Sequence, residues 1–215
     1  MNRTLLTTGL AIVLVLGLGR MWIESAESAG TARSLAERVT ELEKRVEALE
    51  QQVKPVASEA RIEQAKREAR LAARRRMQQD LQTHTREQLA DAEQLYQKAN
   101  KNLRSPDAVN ILEQMIKQYP GCNRTGCAVM YLGQMSKGEV REKYLTMAAE
   151  KFADCYYGDG VQVGAYALWY LAHDALRQHP DEAKALFAKL IDKYPDAIDH
   201  KGNLLADRLP IDLDE

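Results

Sequence analysis

The side chains best equipped for chemistry are three cysteines, four histidines and a group of carboxylates around the third cysteine. Cys122, Cys127 and Cys155 all fall in the C-terminal half. A nucleophilic thiol needs a neighbouring base or cation, and a zinc site needs Cys and His at short fixed spacings. No CxxC, CxxCH or Cys/His zinc spacing occurs, and His84, His173, His179 and His200 are scattered. The best set that can be assembled is Cys155 with Asp154, Asp159, Asp199 and His200, a thiol or metal site without motif spacing. Asp159 has a simpler use as N-cap of a helix starting at Gly160 or Val161, with Gly158 and Gly160 in a turn. No catalytic residues, metal or cofactor are therefore expected, and a thiol- or metal-dependent envelope enzyme is kept as the alternative.

An odd cysteine count allows at most one internal disulfide. Cys122 and Cys155 each follow an expected helix pair, in loops that would lie close together, so they are candidate disulfide partners in an oxidising compartment. Cys122 with Cys127, closing the loop CNRTGC, and buried free thiols are the competing readings. Asn123-Arg124-Thr125 matches the glycosylation acceptor pattern.

The elements that must position these groups are helical. Hydrophobic residues make up 45% of the 215, but aromatics only 6%, with two Phe. That composition suits Ala/Leu-rich helices better than a β-sandwich. A formal net charge of −1 gives no global reason to expect nucleic acid as a partner.

Residues 1–28 read as a membrane anchor or signal segment. Leu5 to Gly19 carries no charge, with Arg3 before it and Arg20 after it. Extended to Ile23, the run would make a helix about 28 Å long, close to the hydrocarbon thickness. Trp22 suits the membrane interface. A retained single-pass span in the inner membrane, N-terminus in the cytoplasm, is the first reading. A signal peptide cut before Ala29, after Ala26-Glu27-Ser28, is the second. Both export the remainder to the periplasm or another extracytoplasmic space.

Residues 31–54 carry a heptad seam: Leu35, Val39, Leu42, Val46, Leu49 and Val53 are spaced 4, 3, 4, 3, 4. Arg38 and Arg45 fall at g, Glu43 and Glu50 at e, which favours parallel, in-register chains. Val at a with Leu at d leans to a dimer, whereas the repeated R-h-x-x-h-E pattern resembles short trimeric coiled coils; both stoichiometries stay open. Pro55 is expected to end the seam. Residues 58–85 then read as a basic helical connector. Arg70, Arg74, Arg75 and Arg76 could meet lipid or nucleic acid, but nearby carboxylates make a solvated face the better reading.

From Arg86 onward the pattern is of helix–turn–helix units: Arg86–Asn100 with Pro106–Tyr119, Gly126–Met135 with Glu139–Phe152, and Val161–Gln178 with Pro180–Tyr194. Ser105 is the expected N-cap and Pro106 the first helical residue of the second helix. The unit ends are alike at Tyr119-Pro120, Phe152-Ala153 and Tyr194-Pro195, and the first interval, 33 residues, is close to a 34-residue repeat. The second interval is 42 residues, with the excess in Asp154 to Gly160.

These residues resemble the tetratricopeptide repeat (TPR) family. In the last unit Leu168, Leu171 and Ala172 match the first-helix signature, and Ala183, Phe187 and Pro195 the second. Leu132-Gly133 is kept in the middle unit, and Ala108, Leu112 and Pro120 in the first. The resemblance implies an all-α chain with a TPR-like domain over residues 86–200 and a tail over 201–215. It also implies a groove for partner polypeptides, lined by Met130, Gln134, Tyr166, Trp169 and His173. For Tyr166 and Trp169, packing against a neighbouring helix or the tail is the competing reading. The order of parts is similar to the periplasmic coiled-coil and TPR partner proteins of the bacterial Tol–Pal system, except for the retained anchor and the linker. The resulting expectation is a non-enzymatic, membrane-tethered, self-associating scaffold of the cell envelope. A purely structural oligomeric spacer is a further alternative.

Overall fold

The computed structural model describes residues 29–103 and 105–211. The anchor or signal segment lies outside them. Among the described residues no helix is long and apolar enough to cross a membrane. The described residues form seven α-helices: α1 (Ala29–Asp80), α2 (Arg86–Lys101), α3 (Pro106–Gln118), α4 (Asn123–Met135), α5 (Gly138–Lys151), α6 (Val163–Ala175) and α7 (Pro180–Lys193), followed by a 3-10 turn at Ala206–Arg208. The chain divides into two compact units, Met1–Glu59 and Ala60–Glu215.

In the first unit, Val39 and Val46 are half-buried and Leu42 is 55% exposed. Arg45 pairs with Glu41 one turn back on its own helix. The side chains of Leu35, Leu49 and Val53 lie outside the described residues. Pro55, where the heptad seam is expected to end, does not interrupt the helix: α1 runs on to Asp80. Proline removes one backbone donor, and the Ala, Glu, Arg and Gln residues beyond it are strong helix formers that carry the helix forward.

In the second unit the three helix pairs form as expected, with ends shifted by a few residues. Ser105 Oγ accepts from the Ala108 amide and Pro106 opens α3. Thr85 and Gln88 make a reciprocal capping box at the start of α2. Leu112, Met115, Leu132 and Leu145 are fully buried in the first two pairs. Gly133 permits the close approach of α4 and α5: a Cβ there would stand 2.7 Å from Leu145 Cδ2. Phe187 and Leu190 fill a second core with Leu168 and Leu205.

The last third of α1 is not the solvated connector anticipated for residues 58–85. One face of it is packed along the loops that join the helix pairs. Arg61 donates to the Pro195 carbonyl and to Asp196. Ala65 is buried with Ile198 and Leu204. Ala69 lies against Gly160, whose φ of +102° and lack of a side chain are both needed there: a Cβ would stand 2.9 Å from that of Ala69. Ala73 is 1% exposed. Arg76 donates to the Gly121 carbonyl and pairs with Asp154. Asp80 pairs with Arg76 and accepts from the Asn123 amide at 2.9 Å. Arg61, Ala65, Ala69, Ala73, Arg76 and Asp80 recur every three or four residues and so share one helical face.

The expected tail over residues 201–215 is likewise part of the packed unit as far as it is described. Ile198 bridges to Leu204, and Leu204 and Leu205 are buried. Asp199 holds the turn by accepting from the amides of Lys201 and Asn203. Between α5 and α6, Tyr156 bridges to Gln162. The helix after it starts at Val163 rather than Gly160 or Val161, and its N-cap position is Gln162. Asp159 Oδ1 accepts from the Val161 amide inside the loop.

Helix α4 has no cap from its own N-cap residue, Cys122; the Asp80 carboxylate fills that role. Replacing Asp80 by Ala removes the buried partner of Arg76, leaving it only the exposed Asp154, and leaves the α4 terminus uncapped. We expect a loss of about 3 kcal/mol, read by thermal melting as a fall of roughly 10 °C for a domain of this size.

Candidate partner-binding site

Helix α6 presents Tyr166, Trp169, Tyr170 and His173 at spacings of three and four. Their surroundings differ. The Trp169 and His173 ring centroids are 4.3 Å apart, and His173 Nδ1–H donates to the Trp169 carbonyl at 2.8 Å. Both rings meet Phe187 of α7 edge-on, at 5.8 and 5.2 Å. These two side chains therefore hold α6 to α7, which is the packing alternative for Trp169. Tyr166 meets Tyr170 and His200 edge-on, each at 5.1 Å, so the tail covers part of its ring.

Met130 is fully buried and cannot touch a partner; α4 is the central helix of its surroundings, buried at every position from Thr125 to Met130. Gln134 is half-buried, and its carbonyl accepts from Arg141. The five expected groove residues thus do not form one open patch.

A different arrangement joins the pairs. Tyr96 of α2 stacks on Tyr131 of α4 at 5.5 Å and 11°. Tyr131 meets Tyr157 of the inter-pair loop at 5.8 Å, Tyr157 meets His200 at 4.9 Å, and His200 meets Tyr166. Arg124 lies over Tyr96 and is ion-paired with Glu93. The signal for this row was in the sequence: Tyr96, Tyr131 and Tyr166 are separated by 35 and 35 residues, close to the 34-residue period of the repeat. His200 is fixed by Asp159, with Nδ1 2.7 Å from Oδ2. Burial opposes ionisation of Asp159, but the His200 and Val161 hydrogen bonds outweigh it and hold the carboxyl below its usual range.

An open cleft lies between the second helices. It has a volume of ≈ 640 Å³ and is walled by α5 and α7, with α6 beneath. Leu168, Leu171, Ala149 and Leu186 supply apolar surface, and Lys137, Glu142, Glu182 and Lys189 supply charge around it. Arg141 makes a two-pronged pair with Asp174 at one end, while its Nη1 caps the Gly133 carbonyl at the end of α4. None of the five expected groove residues lines this cleft. Leu168 and Leu171 do, and they had been noted only as repeat-signature positions.

The candidate chemical constellation separates into two parts. Cys155 and Asp154 face Arg76, whereas Asp159 and His200 pair with each other. Asp199 is committed to the tail turn and to Arg208. Among the described residues no group of three or more Cys, His, Asp or Glu could hold a metal ion. The expected Cys122–Cys155 disulfide is not formed; all three cysteines are buried free thiols. Cys122 Sγ contacts Asp80 and Cys127 Sγ the Tyr156 carbonyl. Burial pushes the Cys155 thiol up to about 12 despite Arg76, and pushes Cys122 and Cys127 up as well. Such thiols stay protonated and weakly nucleophilic at neutral pH. Asn123 is buried and its side chain bonds both the amide and the carbonyl of Tyr156, so the acceptor pattern there is not available for glycosylation in the folded chain.

The tetratricopeptide repeat family model matches residues 166–197, that is, most of α6, all of α7 and the following turn. No curated protein and no solved structure matches the chain. The domain is therefore a TPR-like helical repeat, an architecture that in general mediates protein–protein interaction rather than catalysis.

Two outcomes follow from this packing. Trp169→Ala should cost about 2 kcal/mol, less than the roughly 3–5 kcal/mol of a fully enclosed Trp, and thermal melting will show it as a lower Tm. A disulfide reagent such as DTNB should label the native chain slowly and all three thiols at once after unfolding in guanidinium.

Proposed function

We propose that the chain is a membrane-tethered scaffold of the bacterial cell envelope. A single N-terminal span holds it in the inner membrane, a parallel coiled coil joins copies as a trimer or dimer, and the TPR-like domain holds a partner polypeptide in the periplasm. The observation that carries the binding part is the match of the repeat family to α6 and α7, the two helices that wall the cleft together with α5. An extended or helical segment laid there would set apolar side chains against Leu168, Leu171 and Leu186 and polar groups against the surrounding charges. Such a mixed apolar and polar lining is what peptide grooves use.

Tethering is supported by the uncharged run Leu5–Gly19 behind Arg3, and self-association by the heptad seam, on which Leu42 is 55% exposed. A leucine at a d position gains by covering that surface with a second copy.

Two measurements test the reading. Sedimentation of the chain without residues 1–28 should show a parallel dimer or trimer at micromolar concentration, and Val46→Asn with Leu49→Asn should return it to monomer. A monomeric parent would remove self-association. For the cleft, Glu142→Lys with Glu182→Lys changes exposed charges at its edge, and Tm should stay within about 2 °C. Capture of the partner from an envelope extract should fall at least about tenfold; unchanged capture would remove the cleft as the site.

A further inference from the structure

The docked part of α1 has a second face. Arg61, Ala65, Ala69, Ala73, Arg76 and Asp80 are taken up by the loops of the repeat domain. Half a turn round, Arg67, Leu71 and Arg74 follow one another along the outside of the helix, with Arg70 at the edge of this face beside the cavity lined by Asp159 and Asp199; all four are exposed, Leu71 at 51%. Among the described residues none of these three arginines is in an ion pair. Of the carboxylates beside them on the helix, Glu63 is bound to Lys66 and Glu68 to Gln64. Like charges three and four residues apart weaken a helix; the packing of the opposite face is what keeps this one folded with its arginines aligned.

We propose that this face docks an acidic amphipathic helix of a partner protein. The stripe from Arg67 to Arg74 spans about 10 Å. It presents three cations around one exposed leucine. Carboxylates spaced three or four residues apart on a facing helix would meet Arg67, Arg70 and Arg74, and an apolar side chain among them would cover Leu71. Arginine suits such pairing because its planar fork bonds a carboxylate in two places. The same face of a second copy does not fit: a parallel copy sets Arg67 against Arg67, and an antiparallel one sets Arg67 against Arg74. A nucleic-acid backbone would meet the charges and leave Leu71 uncovered. The surface is separate from the cleft between α5 and α7, so it holds whether or not that cleft binds.

A photo-crosslinking residue in place of Leu71, in the full-length chain expressed in cells, tests this directly, with mass spectrometry of the crosslinked segment. The expected product is a helical segment of another protein rich in Asp and Glu. Its yield should fall at least about tenfold with Arg67→Glu, Arg70→Glu and Arg74→Glu together, while Glu142→Lys with Glu182→Lys leaves it unchanged. Circular dichroism of the triple variant must match the parent. If it does not, Arg74→Glu alone is used, with a fall of at least about threefold required. Crosslinks to a basic segment, to the chain itself, to lipid or to nucleic acid would overturn the proposal. So would a yield that ignores the charge reversal, or no crosslink at all.

Discussion

The Asp80 carboxylate is the interaction on which the second unit depends. It sits 5% exposed at the end of α1, pairs with Arg76 one turn back, and accepts the first free amide of α4. A carboxylate at a helix N-terminus satisfies open amides and faces the positive end of the helix dipole. Here the charge comes from another helix, so the cap also fixes where α1 stops and how α4 begins. Arg76 extends the arrangement to the Gly121 carbonyl, Asp154 and Cys155. The end of α1, the start of α4 and two inter-pair loops thus meet at one arginine and one buried carboxylate.

Around that point the packing is made possible by small residues. Ala65, Ala69 and Ala73 let α1 lie on the loops, and Gly160 lets one loop come up to it. The row of Tyr96, Tyr131, Tyr157, His200 and Tyr166 joins the first helices of the three pairs, with one contribution each from an inserted loop and the tail. Both features use segments outside the repeats to tie the repeats together. A TPR-like stack of three pairs has few neighbours to share its exposed ends, and these additions enclose it.

Much of this was legible in the sequence because it follows from local rules. The helix pairs came from periodicity and from Gly, Ser-Pro and His-Pro punctuation, and the third pair from its signature positions. What was not legible depends on tertiary contact. Arg70 to Arg76 reads as a charged, solvated stretch, yet Arg76 is 12% exposed at its side chain because a carboxylate four residues on and two loops receive it. Pro55 reads as the end of the heptad seam; the helix itself continues through it, because its neighbours' helix propensity outweighs one lost hydrogen bond. Met130 reads as a groove residue by analogy of register, but α4 is enclosed on nearly every side, with Thr125 to Met130 all buried, so it faces core. The alanine spacing at 65, 69 and 73 and the tyrosine spacing of 35 were present to be read, and each carried more than the charge run or the aromatic pair on α6.

Repeat stacks usually fold from nearest-neighbour contacts, and their topology is correspondingly local. The docked stretch of α1 changes that: its bond from Arg61 to Asp196 joins residues 135 apart, while Asp80 to Asn123 spans 43. The first-made element of the unit therefore closes over the last-made one, binding the pairs into one cooperative block and raising the contact order. During synthesis at about 5–20 residues per second, Arg61 would wait roughly 7–27 s for Asp196 to be made. Through that interval the Ala65 end of the alanine face lacks Ile198 and Leu204, its cover, so the unit cannot close until almost its last residue has been made.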